Sequence, residues 1–170
     1  MSSTPVLKRY FTYRLNTLSK LNDMASQASY LRGTGLSLPE ARCLSAIGAF
    51  PRLTVSELAF EANLDKGHAS RAVQALADKG LVLKQASPED ARSATLALST
   101  TGRRLWGKLM PLIEQRNEEL LQCLSESEQS LLLDMFDRIL AQEQGRREGQ
   151  RNRPARRRPA DPTGNPAVAP

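Results

Sequence analysis

The sequence predicts a mainly α-helical protein with one small β-hairpin, and three observations predict it. Between Thr54 and Leu98 two short amphipathic helix patterns surround a tight turn, a glycine stops the second, and two short strand patterns flank a polar tip. Capping signals and apolar stripes at helical spacing fill the chain on both sides. Two helices, a turn and a ribbon in that order make a winged helix-turn-helix, here about residues 36–100, flanked by helices at about 5–32 and 100–144. The first functional expectation is therefore that the protein reads duplex DNA.

Each element has a local cause. Leu7, Phe11, Leu18, Leu21, Ala25 and Ala28 follow a near-heptad spacing and predict the first helix. Ser37 with Glu40 makes a capping box ahead of Ala41, Leu44, Ile47 and Gly48. Thr54 with Glu57 makes another, and Val55, Leu58, Ala59 and Ala62 supply the stripe behind it. That helix ends in a turn at Asn63. Asp65 can cap the next one, which buries Ala69, Ala72, Val73 and Leu76 and leaves Lys66, His68, Ser70, Arg71 and Gln74 towards the other side. A polar, partly cationic face suits DNA. Gly80 sits where a left-handed stop is wanted, with Leu81 folding back towards Leu76.

The strands Leu81–Gln85 and Thr95–Leu98 flank a turn-rich stretch from Ser87 to Ala94. Arg92 is the cation at this tip, placed to enter a minor groove, and Asp90 supports the wing by pairing nearby; an ordinary solvated turn pair is the other reading. Ser99 then caps a helix through Leu105, Leu109, Leu112, Ile113, Leu120 and Leu124, with Pro111 expected to kink it. Ser125 and Glu128 begin a last helix carrying Leu131, Leu132, Met135, Phe136, Ile139 and Leu140.

At this point the chain is similar to the MarR family of bacterial transcription regulators. The matching residues are Leu53-Thr54-Val55-Ser56-Glu57-Leu58-Ala59, Leu64-Asp65-Lys66, Ser70-Arg71, Leu76-Ala77-Asp78-Lys79-Gly80-Leu81-Val82, Pro88-Glu89-Asp90-Ala91-Arg92, and Leu98-Ser99 with Gly102. The resemblance extends over roughly 5–144 and implies one domain over 1–144, dimerisation through helices 1, 5 and 6, and a palindromic double-stranded operator. It also implies a small effector, often an aromatic acid, bound between the dimer helices and the winged helix. The apolar stripes themselves exceed what one small winged helix needs to cover, which points independently to a homodimer. Gly67, His68 and Ala69 depart from the small hydroxyl, second hydroxyl and branched aliphatic residues common there, so base preference does not transfer. Arg14 interrupts the first stripe and is the candidate for an effector carboxylate, an interhelical ion pair being the alternative.

Composition bounds the rest. With 170 residues and 40% apolar content the chain can bury one core. No apolar stretch reaches the roughly 18 residues of a membrane span, and the first residues lack a signal peptide's apolar run, so a cytoplasmic protein is expected. The net charge of +6 is misleading as a DNA footprint. Residues 145–170 hold seven arginines against Glu148 and Asp161, while 53–100 holds five cations against six acids. The Arg- and Pro-rich tail is expected to be disordered, as an auxiliary DNA arm or a solvated extension.

Enzyme readings fail on residue type. His68 is the only histidine, no glycine-rich phosphate loop appears, and neither a metal nor a cofactor is expected. Cys43, among Ala41, Leu44 and Ala46, reads as a buried inert thiol, and Cys123 reads the same way. What stands is a ligand-released DNA-binding repressor. The alternatives are a winged-helix protein-interaction module and a cysteine-based redox regulator.

Overall fold

The computed structural model describes residues 5–86 and 94–151. Asp90 and Arg92 lie outside the described residues, as does the tail beyond Arg151. The chain divides into two compact units, Met1–Gln122 and Cys123–Pro170.

In the first unit a single-turn helix, Val6–Arg9, precedes α1 (Phe11–Thr34), α2 (Leu38–Ala49), α3 (Val55–Glu61), α4 (Lys66–Asp78), β1 (Val82–Ala86), β2 (Ala94–Leu98) and α5 (Thr100–Leu121). The strands pair antiparallel, with Val82 opposite Leu98 and Gln85 opposite Thr95. The fold is a winged helix-turn-helix with added helices, as expected.

The capping chemistry explains the boundaries. At Ser37 the amide donates to Glu40 Oε2 at 2.8 Å, and the Thr54 amide donates to Glu57 Oε2 at the same distance. Ser99 Oγ accepts from Gly102 N at 2.9 Å and donates to the carbonyl of Gly80 at 2.7 Å, tying the end of the wing to the stop of α4. Gly102 has to be glycine there, because a Cβ would collide with the Leu81 carbonyl. α5 runs through Pro111 and stops at Leu121, short of Leu124.

One core joins α1, α2, α3, α4, the hairpin and α5, with Leu36, Leu44, Leu58, Leu76 and Leu109 at its centre. Glu40 bridges two of these elements. Its Oε2 serves the cap of α2 while its Oε1 accepts from Lys79 Nζ at 2.6 Å, fastening the end of α4. Burial alone would raise the Glu40 pKa, but the Lys79 and Ser37 hydrogen bonds prevail and hold it below its ordinary value. A carboxyl lowered on folding stabilises above its ordinary pKa of about 4.5 and loses that contribution as pH falls through the folded value. Lys79→Ala should therefore cost about 1 kcal/mol near neutrality. The gap in thermal midpoint from wild type should shrink between pH 7 and pH 3.5; a gap that stays constant would show that the cost does not come from the Glu40 charge.

The apolar stripe of α1 is where the chain departs from a monomer's economy. Leu18 and Leu21 are exposed, and so are Leu15, Met24 and Leu31. The buried residues of α1 are Ser26 and Tyr30, on its more polar side. That side is anchored by Arg42 Nη2 on Asp23 at 2.5 Å and Arg116 Nε on Asn22 at 3.1 Å.

The second unit contains α6 (Glu126–Arg151). It begins at the expected box, with the Ser125 amide on Glu128 Oε2 at 2.8 Å. The helix continues past residue 144, so the tail expected to be disordered from 145 is helical as far as Arg151. Arg, Glu and Gln are good helix formers, and the first proline comes only at 154.

Candidate nucleic-acid interface

The turn between α3 and α4 sets the reading helix. Asn63 adopts φ 52°, a left-handed conformation that asparagine tolerates better than most residues. It closes a Schellman pair, Leu64 N to Ala59 O at 2.9 Å and Asn63 N to Phe60 O at 3.1 Å. Two residues later Asp65 caps α4, accepting from His68 N at 2.9 Å. The far end repeats the device, with Gly80 at φ 67° and Leu81 N on Leu76 O at 2.9 Å. Both ends of α4 are thus specified locally, and its inner face is locked by Ala69, Ala72, Val73 and Leu76, all buried.

Lys66, His68, Ser70, Arg71 and Gln74 are all exposed, as the helical spacing predicts. Their freedom differs. The His68 ring meets the Asp65 carboxylate through Nδ1, which is therefore the donor, leaving Nε2 outward. The His68 backbone N–H, followed by its ring, holds the Asp65 carboxyl below the usual range. Gln74 is engaged at both ends of its amide, donating to Asp78 at 2.7 Å and accepting from Lys84 of β1 at 2.8 Å. It braces the reading helix against the wing, and a base contact would require its release.

Lys66 and Arg71 have no acid partner among the described residues. Gly67 keeps the space beside them open; a Cβ there would lie 3.6 Å from Arg71 Nη1 and 3.2 Å from Asp65 Oδ1. Glu57 and Asp65 cap helices and Asp78 holds Gln74, so these acids are anchored at fixed places while Lys66 and Arg71 stand without an acid partner among the described residues.

The Lys84 link was not legible in the sequence, because it depends on how the hairpin packs against α4. Arg14 is exposed, its Nε on the Lys8 carbonyl at 3.2 Å, and it lines neither the cavity of Asp23 and Arg42 nor that of Arg52, Trp106 and Arg103. Cys43 is buried, and desolvation, followed by the Glu40 charge, pushes its thiol up to about 12. Almost no thiolate exists there at neutral pH, which removes the basis of a redox trigger at this residue. Cys123 is exposed rather than buried, since it stands in the turn between helical segments.

Two helices around a tight turn, with a hairpin braced on the second, define a winged helix-turn-helix, the fold class of many DNA-binding proteins. Residues 34–93 match the sequence model of the MarR family. The HTH-type transcriptional regulator BilQ of Clostridium symbiosum is 28% identical over 65% of this chain and 77% of its own length. The crystal structure of a MarR/EmrR family regulator from Acinetobacter sp. ADP1 superposes with a TM-score of 0.75, at 22% identity, covering 83% of this chain and 99% of that one. The Mycobacterium tuberculosis MarR family protein Rv2887, solved with p-aminosalicylic acid, has a TM-score of 0.64 at 25% identity, covering 76% and 98%. By sequence, the transcriptional repressor Rv2887 is 26% identical over 76% of this chain and 91% of its own. The segment 34–93 thus matches the MarR family, and the relatives similar over most of the chain are transcriptional regulators.

Proposed function

We propose that the protein is a homodimeric repressor that binds a palindromic operator and is released by a small aromatic acid. The observation that carries the DNA reading is α4 itself: its apolar side is locked in the core while Lys66, Ser70 and Arg71 stand exposed on the other. Two such helices related by a two-fold axis would address half-sites about one DNA turn apart. The exposed apolar stripe of α1 supports the dimer. Occupying a promoter blocks polymerase, which favours repression, and the repressor name of the relative Rv2887 supports it. The p-aminosalicylic acid held by Rv2887 supports the effector class. No helix among the described residues is long and apolar enough to cross a membrane, which fits action in the cytoplasm, where the DNA is.

Arg71→Ala tests the reading. It should weaken binding to an operator selected from random DNA by about 1–3 kcal/mol, roughly 5- to 150-fold, with thermal stability unchanged. Fluorescence anisotropy at fixed salt measures this, and an unchanged affinity, or the selection of no palindrome by wild type, would sink the proposal.

A further inference from the structure

The outward face of α4 is rich in donors and poor in acceptors. Lys66 and Arg71 can only donate, so towards DNA they choose phosphates or the N7 and O6 acceptors of guanine. Gln74 has both ends of its amide engaged, and the Ser70 hydroxyl can turn to either role. His68 is different, because a neighbour fixes what its ring presents.

That neighbour is Asp65, which holds His68 twice. Its Oδ1 accepts the His68 amide at 2.9 Å as the cap of α4, and its Oδ2 takes ring Nδ1. The first contact anchors the backbone and the second the ring, so the imidazole has one orientation on the first turn of the helix. The cap bond holds the Asp65 carboxyl below its ordinary range, so the group is ionised near neutrality and can only accept. The proton of a neutral ring therefore sits on Nδ1. Nε2 is left as a bare acceptor with no partner among the described residues. Gly67 beside it adds no side chain to block a base edge, and the first residues of a recognition helix are the ones that reach base edges.

We propose that His68 is a specificity residue of the reading helix, its Nε2 accepting from the exocyclic amine of adenine or cytosine in the major groove, with Asp65 setting the tautomer. Those two bases are the ones that present an amine there. Guanine and thymine present acceptors, which a bare Nε2 repels. The inference rests on the DNA-reading function above and adds a base class to it.

Selection of duplexes from random DNA at pH 8, where an imidazole is ordinarily neutral, by the full-length protein tests it. Wild type and His68→Ala should differ at one symmetry-related pair of positions, where wild type selects one base pair and the variant none. Replacing the adenine or cytosine of that pair with an analogue lacking the amine should weaken wild type at least about fivefold and His68→Ala less than about twofold. Asp65→Asn is the sharper arm. Asparagine caps as well as aspartate, so Oδ1 still holds the His68 amide, but an NH2 now stands in place of Oδ2 and donates to Nδ1. The ring proton moves to Nε2, which becomes a donor. This variant should keep a thermal midpoint close to wild type, select another base pair at that position and lose the dependence on the amine. The inference is overturned if His68→Ala selects the wild-type site unchanged, or if it weakens all sequences alike, which would make His68 a phosphate contact. An analogue tolerated by wild type overturns it, and so does an Asp65→Asn protein with the wild-type preference. Selection of no sequence at all by wild type would sink the regulator reading as well, whereas a selected operator indifferent to both variants sinks this inference alone.

Discussion

Leu76→Ala is expected to destabilise the protein by about 2–5 kcal/mol, a large part of the roughly 5–15 kcal/mol that holds a domain together. Leu76 is 0% exposed and packs in the shared core with Leu58, Val73 and Leu81. Its carbonyl also accepts the hydrogen bond that closes the stop of α4, so the cavity opens where the reading helix meets the wing. The thermal midpoint should fall by roughly 5–15 °C on the scaling for chains of this size. Leu83, one strand position beyond Val82, is 49% exposed. Leu83→Ala should stay within about 0.5 kcal/mol of wild type. Thermal melts of the two variants side by side check the placement, and equal shifts would mean that the core is not where α4 puts it.

The parts of this fold that were legible in the sequence are those written within a few residues. Thr54 with Glu57, Asp65 with His68, the Gly80 stop and the Ser99 cap on Gly102 each close a bond within five residues, so residue type and spacing suffice. The outward set on α4 was legible for the same reason, because helical spacing sorts faces without tertiary knowledge. Engagement of those side chains was not. Gln74 looks like a base reader until Lys84 arrives from the hairpin, and Lys79 meets Glu40 across 39 positions. The cavity of Arg52, Trp106 and Arg103 is remoter still, assembled from a loop and a helix that only the packing of α5 brings together. In α1 the apolar stripe was visible, but that the side carrying Ser26 and Tyr30 is the buried one depends on the anchors to Arg42 and Arg116.

That inversion of α1 gives the second large effect. On the proposed homodimer, Leu18→Glu/Leu21→Glu should yield a monomer without unfolding it. Leu18 and Leu21 are 46% and 58% exposed in the single chain, so a glutamate at either position meets water there and costs little. The fold of α1 rests instead on the adjoining side, on Tyr30 in the core and on the Asp23 and Asn22 contacts. In a dimer seam the same glutamates would have to be buried without partners, a penalty of several kcal/mol per charge that the interface could not absorb. Affinity for a palindrome depends on both half-sites being engaged by one particle, and losing the linkage should weaken it by about 10²–10⁴ while binding to an isolated half-site barely changes. Sedimentation equilibrium and anisotropy on full and half-site duplexes separate the two effects. A variant that keeps the wild-type mass would place the dimer seam away from this stripe, and a wild type already monomeric at micromolar concentration would remove the seam altogether.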